Sequence, residues 1–253
     1  MASNSKGSLY HLAVQGRARR LSFFFPAYNE AGNVTPMVET ALAVLPGFAD
    51  ELEVIIVDDG SQDDTENEGR RLADIHPQVR YVRHDLNRGY GEALRTGLKT
   101  ASGDVVLWTD GDQQFDLREL HRLWPLLEGG DVVAGYRIRR ADPAHRLFIA
   151  WTYNRVLRVV FGLRTRDVDC AFKLVKREVA DSISPNSGGA FFSAEFLLRA
   201  RRAGYQVVEV GVNHYPRKLG SAKGATPAVI LRTFREMFAL RRDFRERGNR
   251  PGA

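Results

Sequence analysis

The stretch Val105-Val106-Leu107-Trp108-Thr109-Asp110-Gly111-Asp112 decides the fold of this 253-residue chain. Its unbroken apolar run indicates a strand buried on both faces, as in a parallel sheet. Because side chains alternate along an extended chain, Asp110 and Asp112 project the same way where that strand ends. Two converging carboxylates form an oxygen-only site suited to Mg²⁺ or Mn²⁺, an ion that commonly holds a diphosphate. Alone, an Asp-x-Asp pattern is weak evidence, because exposed turns are rich in Asp and Gly.

The rest of the chain alternates short apolar runs with segments of helical periodicity. We predict strands at residues 21–25, 53–57, 79–82, 105–108, 132–134, 171–175 and 206–210. We predict helices at residues 34–45, 65–75, 91–100, 117–127, 147–161 and 192–202. This βαβ series predicts an α/β fold, a doubly wound and mostly parallel sheet flanked by helices.

Charge is concentrated near the C-terminus. The net charge is +6, and residues 217–250 hold ten Lys/Arg against three Asp/Glu. In the predicted helix 226–247, apolar residues recur at helical spacing between arginines, which indicates an amphipathic basic helix. It either lies on an anionic membrane face or packs on its own domain with a solvated basic side. We divide the chain into a disordered lead-in (1–19), one α/β domain (20–225), the basic helix (226–247) and a tail (248–253).

No stretch is apolar and long enough to span a bilayer, and the first residues lack the apolar centre of a secretory signal. The single cysteine, Cys170, fits a reducing compartment. We therefore expect a cytoplasmic protein, with peripheral attachment to the cytoplasmic membrane face as an option.

Polar motifs follow the other predicted strands. After the first strand, the turn that begins at Pro26 predicts a nucleotide-sugar contact: Tyr28 can stack on a planar ring, while the main chain and Glu30 can reach base or ribose groups. The alternative is a simple turn with Asn29 as a helix cap. After the second strand, Asp58 and Asp59 can accept hydrogen bonds from a base or a ribose; the alternative is capping of the next helix by Ser61 or Asp63.

Arg88 and Gly89 open a later helix, where a Gly-rich turn favours anions. A helix cap explains this turn nearly as well. Because consecutive strand ends share one sheet edge, the motifs together predict a site for a nucleoside diphosphate and a metal ion.

Several strings resemble those of family 2 glycosyltransferases with the GT-A fold, and more narrowly the dolichyl-phosphate mannose synthase-like group. They are PAYNE (26–30), VDDGS (57–61), NRGYGEAL (87–94), DGDQQF (110–115), VVAGYR (132–137), DVDCAFKLVKREV (167–179), FFSAEFLLRARRAGY (191–205) and VNHYPRKLGSAKG (212–224). The resemblance implies a hexosyltransferase that moves a sugar from a nucleotide-sugar to a polyprenyl phosphate by a single inverting displacement. It also implies Gln114 as a metal ligand beside Asp110 and Asp112.

A phosphate acceptor is already largely dianionic at neutral pH, so it needs a cationic clamp more than a strong base. Our candidates for that clamp are Arg137, Arg146, Arg217 and Lys223, and the resemblance implies an acceptor-phosphate role for the first two. With a hydroxyl acceptor, Asp169 or Asp167 becomes the natural general base. With a lipid phosphate, such a carboxylate orients the sugar or a clamp arginine. Glu195, on an apolar helix, can hydrogen-bond the sugar; the alternative is a salt bridge on the face of that helix.

Three hypotheses remain open from the sequence. The first is transfer of a hexose, from GDP-mannose or UDP-glucose, to a polyprenyl phosphate, with Mg²⁺ or Mn²⁺. The second keeps the donor site but uses a saccharide or other hydroxyl acceptor. The third is a non-catalytic module that binds nucleic acid or a partner through the basic helix. The carboxylate set favours the first two, so we expect no nucleic-acid partner, and we expect contact with a membrane surface or a membrane protein.

Overall fold

The computed structural model describes residues 16–138, 144–217, 219 and 227–248. Its strands are β1 (Ala18–Ala27), β2 (Ala49–Asp58), β3 (Val79–Arg83), β4 (Val105–Trp108), β5 (Val132–Arg137), β6 (Lys173–Lys176) and β7 (Val207–Val212). They form one seven-stranded sheet in the order β3-β2-β1-β4-β6-β5-β7. All neighbours are parallel except β6, which runs antiparallel between β4 and β5. The predicted doubly wound, mostly parallel sheet is confirmed.

Helices cover both faces of this sheet. They are α1 (Ala31–Val44), α2 (Thr65–Ile75), α3 (Tyr90–Thr100), α4 (Leu120–Leu123), α5 (Ala144–Phe161), α6 (Arg177–Ser182), α7 (Phe192–Arg202) and α8 (Pro227–Gly248). One apolar core joins the sheet to α1, α2 and α4, and a second joins it to α3, α5, α6, α7 and α8. In the part of the chain described by the structure, no helix combines the length and hydropathy that a bilayer crossing requires.

β1 shows why the sheet is a central layer. Phe23, Phe24 and Phe25 have no exposed surface. Because side chains alternate, Phe23 and Phe25 enter one core while Phe24 enters the other, where its ring stacks on Trp108 at 5.7 Å. Burial of each such ring contributes about 2 kcal/mol. A continuous apolar run therefore marks a strand covered on both sides.

The strand register brings the polar motifs to one edge. Ala27 pairs with Asp58, and Phe24 pairs with Trp108, so the chain after β4 runs beside the end of β1. Gly111 lies against that end, since a Cβ there would sit 2.6 Å from the Pro26 carbonyl oxygen. Only glycine fits this approach without a shift of the main chain. The ends of β1, β2 and β4 thus share one surface.

Some predicted boundaries are wrong. The predicted helix 117–127 is broken into a 3₁₀ turn (Leu117–Glu119), α4 and a second 3₁₀ turn (Trp124–Glu128), because Pro125 cannot donate the hydrogen bond of a continuous helix. β6 begins at Lys173, two residues later than predicted. β1 begins at Ala18, which is inside the predicted lead-in 1–19. Residues 1–15 of that lead-in, and residues 249–253 of the predicted tail, lie outside the residues that the structure describes.

Candidate active site

Asp110 and Asp112 lie together at the end of β4. The Tyr90 hydroxyl donates a 2.9 Å hydrogen bond to Asp110 Oδ1, and Asp112 is buried. Burial and the negative charge of Asp110 raise the pKa of Asp112 to about 6, and burial also raises the pKa of Asp110. Such a pair gains stability when a cation joins it.

Arg217 supplies a cation to this pair in the structure. Its guanidinium donates to Asp112 Oδ2 and, at 3.0 Å, to Glu30 Oε1. The predicted clamp arginine therefore bridges two carboxylates of the donor edge. The Asp110 and Asp112 carboxylates offer oxygen ligands and Arg217 offers a guanidinium beside them, so the residues present fit a divalent ion and a bound diphosphate.

Gln114 follows the pair and continues the same turn. Its backbone N–H donates to Asp112 Oδ1 at 3.1 Å, and its side-chain amide nitrogen donates to the Tyr215 carbonyl at 3.0 Å. The side-chain carbonyl oxygen is the atom that would act as the predicted metal ligand. In the described residues, no group of three or more His, Cys, Asp or Glu side chains has the arrangement of a metal site. The protein would therefore supply three ligands to a metal ion, the carboxylates of Asp110 and Asp112 and the amide oxygen of Gln114.

The turn after β1 is tied to the turn after β2. Asn29 has a φ of 54°, its N–H donates to Ser61 Oγ at 2.9 Å, and its side-chain oxygen accepts from the Gln62 N–H at 2.8 Å. The alternative that Asn29 caps α1 is wrong, because Glu30 occupies the cap position and makes no side-chain cap bond. Pro26 and Tyr28, both partly buried, lie in this cross-linked turn.

Asp58 is fully buried beneath this edge. Its carboxylate accepts hydrogen bonds from the Ser61 N–H at 2.8 Å and from the Tyr81 hydroxyl, and Arg83 lies 3.5 Å away. Both oxygens therefore have partners in the chain without a nucleotide. A direct contact between Asp58 and a base or ribose stays a prediction.

Asp59 shapes the turn that contains Arg88 and Gly89. Its two oxygens accept the N–H groups of these residues at 2.9 and 2.8 Å, and His84 Nδ1 lies 2.7 Å from Oδ1. Gly89 has a φ of 104°, which favours glycine, and Arg88 is exposed. The contact between Asp59 and the nucleotide stays a prediction. The structure adds that Asp59 holds the turn at Arg88 and Gly89 in place.

Arg137 lies on the other side of the site, at the end of β5. It forms a bidentate ion pair with Asp167, with Nη2 2.7 Å from Oδ1, and both side chains are largely buried. Arg137, the arginine predicted to bind the acceptor phosphate, is thus held by Asp167, one of the two carboxylates considered as a general base. Arg146, at the start of α5, and Lys223 lie outside the residues whose side chains the structure describes.

Lys173 is a site residue that sequence reasoning missed. It is fully buried, its ammonium donates to the Cys170 carbonyl and, at 3.3 Å, to the Val168 carbonyl, and burial lowers its pKa. Asp110 and Asp169 act on it electrostatically, which places it among the site carboxylates. A lysine inside the apolar run 171–175 was the available signal, since lysine is almost never buried without a partner.

Glu195 is surrounded by hydrogen-bond donors of its own chain. It is buried on α7, and its carboxylate accepts hydrogen bonds from the Asn186 N–H at 2.9 Å, the Ser187 N–H at 2.8 Å, the Ser187 hydroxyl and Arg199 Nε. Donors of its own chain occupy both oxygens, and the ion pair with Arg199 is the helix-face salt bridge of the alternative interpretation. A contact between Glu195 and the sugar stays a prediction. Glu195 fixes the loop 185–189, whose Gly188 carbonyl accepts the Gly91 N–H at 3.1 Å.

α8 packs on the domain and is also partly exposed. Met237 and Leu240 enter the second core, whereas Phe234 and Phe238 remain exposed. One side of the basic helix therefore packs on its own domain, as the second of the two interpretations predicted. Contact of the other side with a membrane stays a prediction.

Comparison with known proteins identifies the family. The model of "Glycosyl transferase family 2" matches residues 22–184. Glycosyltransferase AglD of Haloferax volcanii is 33% identical over 207 residues, which are 78% of this chain and 33% of that protein. Dolichyl-phosphate beta-glucosyltransferase ALG5C of Trichomonas vaginalis is 30% identical over 210 residues, which are 76% of this chain and 62% of that protein. The chain thus spans less than two thirds of either relative.

A solved structure confirms the GT-A fold. Glucosyl-3-phosphoglycerate synthase from Mycobacterium tuberculosis, in complex with Mn²⁺, UDP-glucose and phosphoglyceric acid, superposes with a TM-score of 0.70 at 22% identity, covering 88% of this chain and 80% of that one. The family match extends from β1 through α6 and includes the carboxylate pair. This chain belongs to glycosyl transferase family 2.

Proposed function

We propose that this chain transfers a hexose from a nucleoside diphosphate sugar to a polyprenyl phosphate, with Mg²⁺ or Mn²⁺ held by Asp110, Asp112 and Gln114. The observation that carries the proposal is the Asp110/Asp112 pair at the carboxyl edge of a parallel sheet, with Asp112 buried, Glu30 close by and the Arg217 guanidinium bound to Asp112 and Glu30. This is the charge arrangement that a metal-bound diphosphate completes.

Relatives support the acceptor class. Besides the dolichyl-phosphate glucosyltransferase, they include undecaprenyl-phosphate 4-deoxy-4-formamido-L-arabinose transferase of Pectobacterium carotovorum, 29% identical over 208 residues. Dodecaprenyl-phosphate galacturonate synthase of Rhizobium johnstonii is 27% identical over 224 residues. A polyprenyl phosphate recurs in these names while the sugar changes. We therefore propose the lipid phosphate as acceptor, leave GDP-mannose and UDP-glucose as donor candidates, and place the reaction at a membrane surface.

The proposed reaction is one displacement. An oxygen of the acceptor phosphate attacks the anomeric carbon, the bond from that carbon to the nucleoside diphosphate breaks, and the configuration inverts. A bound divalent ion would stabilise the charge that develops on the leaving diphosphate. Arg137 offers a guanidinium for the acceptor phosphate, and Asp167 keeps that guanidinium oriented. Since the acceptor phosphate is already anionic, no strong general base is needed. Asp169 then has the role of orienting the sugar or an arginine that binds the phosphate.

The test is a transfer assay. The purified chain is incubated with Mn²⁺, GDP- and UDP-sugars, and either a short polyprenyl phosphate or saccharide acceptors, and products are identified by mass spectrometry. We expect a glycosyl phospholipid, and we expect Asp112→Asn to lower turnover by at least about 10³-fold, because the charge that holds the metal is halved.

Asp74→Asn is the matched control, since Asp74 is an exposed carboxylate on α2. It should transfer like the parent chain, and both variants should melt at the parent temperature. Full transfer activity of Asp112→Asn would contradict the proposal that Asp112 holds a metal ion needed for the reaction. A product formed only with hydroxyl acceptors would establish the second hypothesis instead of the first.

A further inference from the structure

The two carboxylates of the candidate metal site have different partners. Asp112 accepts the Gln114 N–H at 3.1 Å and the Arg217 guanidinium, whereas Asp110 Oδ1 accepts the Tyr90 hydroxyl at 2.9 Å. Among the residues that the structure describes, no second hydrogen-bond donor or ion-pair partner contacts the Asp110 carboxylate. Asp110 is therefore oriented by a single neutral group.

A hydroxyl donor suits a carboxylate that has to bind a cation. The Tyr90 hydroxyl carries no charge, so Asp110 keeps its negative charge, and Oδ2 remains for a divalent ion. An arginine in the same place would neutralise that charge, as Arg137 does for Asp167. Hydrogen bonds to the ligands of a metal ion fix the orientation of those ligands, and their loss changes metal affinity by about 10- to 100-fold.

The first turn of α3 holds Tyr90 firmly in place. The two residues before Tyr90 donate their N–H groups to the Asp59 carboxylate at 2.9 and 2.8 Å. The residue after it, Gly91, donates its N–H to the Gly188 carbonyl at 3.1 Å, and the Tyr90 ring packs against the second apolar core. The backbone on both sides of Tyr90 is thus anchored, and the hydroxyl approaches Asp110 from a fixed position.

The close approach of α3 to the loop 185–189 supports this view. A Cβ on Gly91 would lie 2.5 Å from the Ser187 carbonyl oxygen, so the helix end is packed against that loop without room for a side chain. Glu195 holds the same loop by accepting the Ser187 N–H at 2.8 Å. The position of the Tyr90 hydroxyl is therefore set by contacts that lie outside the metal site.

We propose that Tyr90 is a positioning residue for the metal ion, because its hydroxyl holds the Asp110 carboxylate in the orientation that binds a divalent cation. Tyr90 directly follows Arg88 and Gly89, which are predicted to contact the nucleotide-sugar, so one helix end serves both the metal ion and the donor. The inference rests on the proposed function for the presence of the metal ion, but metal binding is measured without transfer.

Tyr90→Phe tests the proposal, because it removes the hydroxyl and keeps the ring in the core. Electron paramagnetic resonance measures Mn²⁺ binding, since free Mn²⁺ gives a strong signal that falls when the ion is bound. Binding is measured on the chain alone and again with GDP or UDP. We expect Tyr90→Phe to bind Mn²⁺ at least about tenfold more weakly than the parent chain in the same condition.

Excess metal should rescue this variant. Asp110 and Asp112 are both still present in Tyr90→Phe, so saturating Mn²⁺ should restore the turnover of the parent chain. The Mn²⁺ concentration that gives half-maximal transfer should rise, while kcat at saturation should stay close to that of the parent chain. A role of Tyr90 in packing alone predicts a lower melting temperature with an unchanged requirement for Mn²⁺.

Tyr81→Phe is the matched control. The Tyr81 hydroxyl donates to Asp58, a fully buried carboxylate at the same edge of the sheet that is not among the proposed metal ligands. The control thus removes the same atom from the same kind of pair. It should bind Mn²⁺ with the affinity of the parent chain.

Parent-like Mn²⁺ affinity in Tyr90→Phe would overturn the proposal, and so would an equal loss of affinity in Tyr81→Phe. A raised KM for the donor with normal Mn²⁺ affinity would assign Tyr90 to the nucleotide turn instead, which also overturns it. If the parent chain bound no Mn²⁺ with or without nucleotide, the metal ion of the proposed function would itself be contradicted. The two failures are therefore distinguishable.

Discussion

The two sides of the candidate site hold their charges in different ways. On the side of β1, β2 and β4, carboxylates accept hydrogen bonds mainly from main-chain N–H groups, namely Asp58 from Ser61, Asp59 from Arg88 and Gly89, and Asp112 from Gln114, and Arg217 is shared between Asp112 and Glu30. On the side of β5 and α7, each carboxylate has its own arginine, Asp167 with Arg137 and Glu195 with Arg199, although Glu195 also accepts the N–H groups of Asn186 and Ser187.

The difference has a chemical consequence. An N–H group orients a carboxylate but leaves its negative charge in place, so the first side stays attractive to a cation. An ion pair neutralises both members, so the second side is stable only while each charge keeps its partner. The first side should therefore respond most to changes in the main chain, and the second to loss of a single charge.

The largest effect is expected at Arg137 and Asp167. Asp167→Asn removes the carboxylate that Arg137 holds in a buried bidentate ion pair, which should lower the free energy of unfolding by about 4 kcal/mol. Urea denaturation measures this loss. Glu246→Gln breaks an exposed pair with Arg242 and should cost less than about 1 kcal/mol. If Asp167→Asn and Glu246→Gln lowered the free energy of unfolding equally, the buried ion pair would not be the stabilising feature of this side of the site.

A somewhat smaller effect is expected at Glu195. Burial pushes the pKa of Glu195 up, but hydrogen bonds from Asn186, Ser187 and Arg199 outweigh burial and lower it below the usual 4.5. Glu195→Gln should cost about 3 kcal/mol at neutral pH, because Arg199 keeps only its pair with Asp243 and the loop 185–189 loses one of its two acceptor oxygens.

The pH dependence of this variant supplies the check. A depressed pKa in the folded chain contributes stability that is present above the unfolded pKa and is lost as the pH falls through the folded value. The difference in unfolding free energy between the parent and Glu195→Gln should therefore shrink below pH 4.5. A difference that stays constant on acidification would show that the ionised carboxylate is not the cause.

The smallest effect on stability is expected at Gly89, on the side held by the main chain. Gly89→Ala introduces a Cβ at a φ of 104° and 2.6 Å from the Gly188 carbonyl oxygen, which should cost about 2 kcal/mol. Because the same turn carries the N–H groups that Asp59 holds, the KM for the donor should rise more than kcat falls.

Gly129→Ala is the matched control, since no atom lies within 4 Å of a Cβ at that position. It should leave both the melting temperature and the KM for the donor unchanged. A normal KM for the donor in Gly89→Ala would separate this turn from the nucleotide site.

Sequence reasoning succeeded where the signal is local. A continuous apolar run with polar residues directly after it places a buried strand and its carboxyl end, and Asp110 and Asp112 follow that end within four residues. The structure places them in a turn and not in an extended strand, so strand alternation is not the reason that they lie together. The break in the helix predicted at 117–127 was also readable, because Pro125 is in the sequence. Its outcome still depended on packing of Leu120, Leu123 and Trp124 into the core.

The partners of the charged residues were not readable. Arg217 reaches Asp112 across 105 residues of sequence, and Arg137 meets Asp167 because β6, which follows Asp167, pairs antiparallel with β5. Likewise, nothing in the pattern FFSAEFLL shows that Glu195 faces a loop of its own chain.

The amino-acid sequence by itself determined the α/β architecture, the strand ends and the carboxylate pair, because strand periodicity and burial act between residues that are close along the chain. Only the tertiary structure decided which charge pairs with which, that Lys173 is buried among carbonyl groups, and that the Tyr90 hydroxyl reaches Asp110. Those outcomes depend on distances between segments that fold together from distant parts of the chain, and such distances are set by the packing of the whole domain.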